Sequence, residues 1–390
     1  MNKYDFLEKK LEAIKESQRL RSLKELQVLS STRLIFEGRD LLNFSSNDYL
    51  ALASDCEILK PYQPGFNEAA IGSASSPLVC AYSNLTAQLE RELALWKGTE
   101  AALLMNSGFQ ANSSIIPTLL DRHDVVFSDR LNHASIIDGI KLSGARNIRY
   151  KHADVADLKQ LLEGKRGQFK KALIISESIF SMDGDCADIT ALCDLAEEYD
   201  ALLYIDDAHG SGIVGEKGGG PVKEQMSRVD LYLGTFSKAM GSFGAYVACS
   251  QQIKDYLVNT CRGLIYSTAL PPAVIANNLA VVRFLQTVKA DEKRNDLNAN
   301  ITYLRKALTA LPYQLISGNS PIVPLVIGSE QETLALAKFL LESGLYVVAI
   351  RPPTVPADSC RIRLTVSSSH SKEELDFLLS KLKEFSNARR

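Results

Sequence analysis

The chain has 390 residues, 46% of them hydrophobic and 23% charged, with a formal net charge of −2. That length is enough for roughly two to three domains around a large core. The near-neutral balance gives no electrostatic case for a nucleic-acid or membrane partner, and no apolar run reaches the roughly 18 residues of a membrane span.

In chain order, residues 3–28 are charged, with helical periodicity, and read as an amphipathic arm. They contain no apolar signal core, so a cytoplasmic protein is expected. Leu41-Leu42-Asn43-Phe44 reads as a short strand running into the polar loop Ser45-Ser46-Asn47-Asp48-Tyr49. Residues 84–97 form a helix with Asn84 as its expected N-cap and Gly98 as its stop. Apolar runs at 101–105, 124–128, 172–176, 201–206 and 231–236 then alternate with helical stretches at 109–120, 133–143 and 188–200. Strands that are apolar throughout, alternating with helices, imply a mainly parallel sheet covered on both faces. Residues 244–250 follow 236 too closely for a helical crossover and are expected to run antiparallel. After Pro271-Pro272, helices near 273–288 and 291–311 lead to strands at 323–328, 346–350 and 361–366, a helix at 331–343 and a closing helix at 371–386. This gives an arm and strand over 1–45, a large α/β domain over 46–270 and a smaller α+β domain over 271–390. Seven scattered cysteines without a Cys-x-x-Cys pair read as free thiols. The histidines show no ligand-like spacing, so no metal site is expected.

The chemistry concentrates at strand ends, where open parallel sheets bind ligands. Lys238, in Thr235-Phe236-Ser237-Lys238-Ala239-Met240-Gly241, is hemmed by small hydroxyl residues and glycines and is placed to form an imine. Asp206, in Asp206-Asp207-Ala208-His209-Gly210, ends an earlier apolar strand and can hold a pyridinium nitrogen protonated. A lysine anchor and an acidic ring partner are what a pyridoxal phosphate (PLP) site needs. Ser107, Gly108 and Phe109 open a helix after strand 101–105, where backbone N–H groups and the helix dipole favour phosphate; the Thr235 hydroxyl is a further donor. His133 begins the next helix and reads either as a cap or as a plate stacked on the cofactor ring. Asn47 and Arg351 are the expected clamp for a substrate carboxylate, arginine offering a planar fork.

Taken together, Asn43–Leu50, Ser107-Gly108-Phe109, His133-Ala134-Ser135, Glu177–Asp185, Asp206–Gly210 and Thr235–Lys238 resemble the α-oxoamine synthases. These are fold-type I PLP enzymes that condense an amino acid with an acyl thioester. The resemblance runs from about residue 20 to 385. It implies an α/β fold with a mainly parallel seven-stranded sheet and a smaller C-terminal α+β domain. It implies that Lys238 is the Schiff-base lysine and proton-transfer base, that Asp206 pairs with the ring nitrogen, that His209 contacts the ring hydroxyl, that Ser181 lies near the cofactor and that His133 stacks on it. Thr268 would reach the phosphate from the second subunit of a homodimer, and Arg21, Asn47, Arg351 and Thr354 would touch substrate. Residues 349–356 resemble the biotin-pathway branch, which uses L-alanine and a pimeloyl thioester carried by CoA or by acyl carrier protein. Glycine- and serine-using branches are the nearest rivals, since a pocket separates one methylene by only about 1–3 kcal/mol. One departure stands out. Family members are glycine-rich where this chain has Ile71–Pro77, and Thr86 replaces a common histidine, so this segment is expected to border the site.

Overall fold

The protein is described by a computed structural model covering residues 2–17, 19–62, 71–221 and 223–388. It opens with a helix at Asp5–Glu16 and three short strands, β1 (Gln27–Val28), β2 (Arg33–Phe36) and β3 (Arg39–Asn43). The helix expected through residue 28 therefore stops after Glu16. It buries none of its residues, and a helix without a packed face has only local propensity to extend it. Gln18 lies outside the described residues. The helix at Asn84–Lys97 is capped by Ser83 rather than by Asn84: the Thr86 N–H donates to Ser83 Oγ at 3.2 Å. Gly98 ends it in the left-handed conformation, as expected.

Seven strands make the large sheet: β4 (Ala101–Met105), β5 (Val125–Asp129), β6 (Arg146–Tyr150), β7 (Ala172–Glu177), β8 (Leu202–Asp206), β9 (Leu231–Thr235) and β10 (Ala245–Cys249). Their order is β4-β10-β9-β8-β7-β5-β6. β10 pairs antiparallel with both β4 and β9, and the other pairings are parallel. Side chains alternate between two buried layers. Leu103, Val126, Ile175, Leu233 and Val247 pack with Ile115 and Ile140 on one face. Ala102, Phe127, Ile174, Ile205 and Tyr246 pack into the larger core on the other. This is the doubly covered sheet that continuous apolar strands demand. β6 is the strand the apolar pattern does not reveal. Its sequence RNIRY buries only Ile148 and Tyr150, because it is an edge strand with one neighbour.

The C-terminal part carries β11 (Gln314–Leu315), β12 (Ile322–Gly328), β13 (Leu345–Tyr346), β14 (Val348–Ile350) and β15 (Cys360–Thr365). The single strand expected at 346–350 is two. β13 pairs in parallel with β3, Leu345 opposite Leu42, while β14 pairs antiparallel with β15. The chain changes sheets at Val347, which is buried. The sheet β11-β12-β15-β14 is backed by helices Val288–Leu308, Glu330–Glu342 and Lys372–Asn387, with Leu304, Leu336, Leu340, Leu378 and Leu382 in its core. The last helix starts with a capping box between Ser371 and Glu374. Among the described residues, no helix is long and apolar enough to cross a membrane.

Candidate active site

The carboxyl ends of β7, β8 and β9 place Glu177, Asp206 and Thr235 along one edge of the large sheet. Asp206 is buried. Its Oδ2 accepts from Asn112 Nδ2 at 2.8 Å, and its Oδ1 accepts from the Ala208 N–H at 3.0 Å. Asn112 also donates to Ser135 Oγ at 3.0 Å and accepts from the Tyr204 hydroxyl at 2.8 Å. Ser135 Oγ in turn lies 2.8 Å from His133 Nδ1. One hydrogen-bonded chain thus ties His133 to Asp206 through Ser135 and Asn112. His133 caps the helix Ala134–Ser143 and also meets Phe109 edge to face, ring centroids 6.5 Å apart. Burial lowers the His133 pKa, partly offset by Asp206.

Lys238 sits on the turn between β9 and β10. Gly241, at φ +59°, brings this turn against the backbone of Leu52 and Ala53, where a Cβ would lie 2.3 Å from the Ala53 nitrogen. Thr235 Oγ1 donates to the Gly244 carbonyl at 2.9 Å and accepts from the Ser237 N–H at 3.2 Å. Burial lowers the Lys238 pKa, against the pull of Asp206 and Glu177. His209 lies 2.7 Å from the Tyr49 hydroxyl through Nδ1. Its burial, and then the positive charges of Lys238 and Arg363, hold it far below the usual histidine range, so it is neutral.

A cavity of about 290 Å³ brings together Ser45, Asn47, His133, Ser181, Met182, His209, Lys238, Val348, Ile350 and Arg363. The arginine in this lining is Arg363, not the expected Arg351. Arg363 donates to the Ser181 carbonyl at 2.7 Å and to Asn47 Oδ1 at 3.2 Å. Arg351, on the loop after β14, pairs with Glu330 Oε1 at 3.0 Å. The missed signal was Arg361-Ile362-Arg363 within an interior strand. Alternation puts both arginines on the face opposite the core, and both are buried, so each needs a polar partner. Arg361 finds Asp183. Asn112 and Tyr49 were also missed as supporting residues, since each looks like an ordinary core or loop residue when read alone.

Other expected residues lie apart. Arg21 is exposed in the irregular stretch before β1, and Thr354 is exposed in the loop after Arg351. Thr268 lines a second cavity, also about 290 Å³ and mostly apolar, together with Pro77, Leu78, Tyr82, Thr86, Met105 and Asn106. The unusual segment borders this second cavity and not the Lys238 cavity: Ser73 donates to the Leu270 carbonyl at 2.6 Å, and Ser75 accepts from the Ala269 N–H at 2.9 Å.

Ser107 caps the helix Gly108–Leu119, its Oγ accepting from the Gln110 N–H at 3.1 Å. The first helical N–H groups have no partner within the helix, and nothing lies within 4 Å of where a Gly108 Cβ would be. An anion has room there. An open helix start, a hydrogen-bonded acid, a buried amine and a histidine plate at one sheet edge are a donor set that fits PLP. A model for aminotransferase class I and II matches residues 39–382. The chain belongs to that family. Among the family's curated members, the 8-amino-7-oxononanoate synthase of Pelobacter propionicus is 43% identical over 374 residues, covering 95% of each chain. That of Trichlorobacter lovleyi is 44% identical over 371 residues, covering 95% of this chain and 94% of its own. Among solved structures, serine palmitoyltransferase from S. paucimobilis with a bound PLP–myriocin aldimine superposes with a TM-score of 0.89 at 27% identity, covering 99% of this chain and 98% of the other.

Proposed function

We propose that this chain catalyses the reaction for which those curated relatives are named. That reaction is the PLP-dependent condensation of L-alanine with a pimeloyl thioester, giving 8-amino-7-oxononanoate, CO₂ and free thiol in biotin biosynthesis. The observation that carries this reading is the near full-length identity to such synthases in a chain whose Lys238, Asp206 and Asn47–Arg363 pair converge on one cavity edge.

When bound, PLP supplies an attachment point for the amino group and a ring that takes up the electron pair left at the α-carbon. The residues do the rest. Lys238 anchors the group and then serves as the base for the α-proton; its burial favours the free amine that such a base must be. Asp206, fixed by Asn112 and the Ala208 N–H, holds the ring nitrogen's proton. With Nδ1 against Tyr49, neutral His209 offers Nε2 to the ring hydroxyl. His133 covers one ring face, keeps water off it and donates hydrogen bonds. Ser107, Gly108, Phe109 and Thr235 hold the phosphate, and Ser181 lines the same wall. Arg363 and Asn47 grip the alanine carboxylate, supported by their shared hydrogen bond in the lining. Arg21, Arg351 and Thr354 are assigned to the acyl thioester, on the strength of their positions outside that lining.

The same reading includes a cytoplasmic homodimer in which Thr268 of one subunit approaches the phosphate of the other. Its support is the position of Thr268 in the second cavity, beside Asn106, whose Nδ2 donates to the Thr268 carbonyl at 2.8 Å. The acyl carrier is CoA or an acyl carrier protein.

The test is thiol release from pimeloyl-CoA and from pimeloyl–carrier protein by PLP-loaded enzyme, with L-alanine, glycine or L-serine as partner. Release with alanine exceeding that with glycine by about 10-fold or more, and abolished in Lys238→Ala, is expected. Release with glycine or serine alone sinks the alanine assignment.

A further inference from the structure

Glu177 ends β7 and has no part in the chemistry assigned above. Its partner across the sheet is Asp206, on the adjoining parallel strand, so their side chains share a face. Both are buried, at 3% and 5% exposure. Their surroundings differ. Asp206 accepts two hydrogen bonds, from Asn112 and from the Ala208 N–H. Glu177 Oε2 accepts from the Ser181 N–H at 3.3 Å, with the His133 peptide beside it. Its Oε1 is fully buried and has no partner among the described residues.

Two buried carboxyls this close do not both ionise, and the one with more donors keeps the charge. Burial and then the charge of Asp206 push Glu177 up to about 8, against the opposing effect of Lys238. A pair of carboxyls driven apart in this way marks which is the anion and which is the acid. As an acid, Glu177 carries an O–H that needs an acceptor, and a buried donor left without one is costly. The two peptide groups flanking the carboxyl belong to His133 and Ser181, and both residues line the Lys238 cavity.

We propose that Glu177 is a neutral acid in the wall of this site, and that its Oε1–H is donated to an oxygen of the ligand seated in the cavity. The identity of that ligand rests on the function proposed above; the neutral acid does not. The acceptor belongs to the cofactor ring or to the amino-acid substrate, and stepwise loading separates the two.

Infrared difference spectroscopy on the full-length protein tests this. At pH 7 the apoprotein should show a protonated-carboxyl C=O band that is absent in Glu177→Gln. The band should move on adding PLP if the acceptor is the ring oxygen, or only on adding L-alanine to loaded enzyme if it is the substrate. If the variant does not fold, [¹³C]glutamate labelling of the wild type identifies the band by its isotope shift. No glutamic-acid band at pH 7, or a band unmoved by both additions, overturns the proposal. These readouts need no turnover, so they stand even if the thiol-release assay fails.

Discussion

Asn112 holds Asp206 by a single 2.8 Å hydrogen bond from its side-chain amide to the carboxylate, while the other end of the same amide is pinned by Tyr204. A hydrogen bond to a charged group contributes about 1.5–3 kcal/mol. Asn112→Ala should therefore weaken PLP retention by about 10–100-fold, measured by equilibrium dialysis of the free cofactor. Unchanged retention would mean that Asp206 needs no help from helix Gly108–Leu119.

The two arginines separate by location. Arg363→Ala removes the cavity's fork and should raise the KM for alanine by about 10–100-fold, with a smaller effect on the thioester. Arg351→Ala, which breaks the pair with Glu330, should leave the alanine KM within a few fold. The reverse pattern in steady-state kinetics would restore Arg351 as the carboxylate clamp.

His152 bridges Asp129 and Asp185, at 3.0 and 2.7 Å, and packs edge-on against Phe180. Burial alone would lower its pKa, but hydrogen bonds to the two aspartates outweigh burial and push it up to about 10. A folded-state pKa above the unfolded value of about 6.5 gives stability that is fully present below that value and is lost as pH rises through 10. His152→Gln should melt lower than wild type at pH 6.5, and the gap should shrink steadily toward pH 10. A gap constant with pH would show that the contribution is packing rather than charge.

Gly241→Ala puts a methyl group into the backbone of Leu52 and Ala53 in a left-handed conformation. The backbone strain alone costs about 1–2 kcal/mol, and the overlap adds to it. The expected result is a melting temperature lower by about 5 °C or more and a displaced Lys238, read as a shifted visible absorbance of the loaded protein. A normal spectrum with only a lower melting point would separate stability from positioning.

Much of the large sheet was legible because its strands are buried on both faces and so carry uninterrupted apolar runs. The turn at Lys238 was legible because glycines and small hydroxyls mark it. β6 was not, since an edge strand needs only half a row of apolar side chains. The β13–β14 split was invisible because both halves are apolar enough for either sheet. In the site, residues on strand ends and helix starts could be named from local pattern. Arg363, Asn112, Tyr49 and Glu177 could not, because what they do depends on neighbours between 29 and 316 residues away.

The parallel pairing of β3 with β13 sets an order on the making of the protein. Leu42 and Leu345 are opposite each other yet about 300 residues apart, so at about 5–20 residues per second the early strand waits roughly 15–60 seconds for its neighbour to leave the ribosome. Through that interval the large sheet can form, complete with lysine and acid. Leu41, buried in the finished protein, has no neighbour on that side, and the segment carrying Asn47 is held from one edge only. Arg363 emerges later still. The cofactor half of the cavity thus exists before the half that grips the amino acid, and a nascent chain can hold the former while unable to use it.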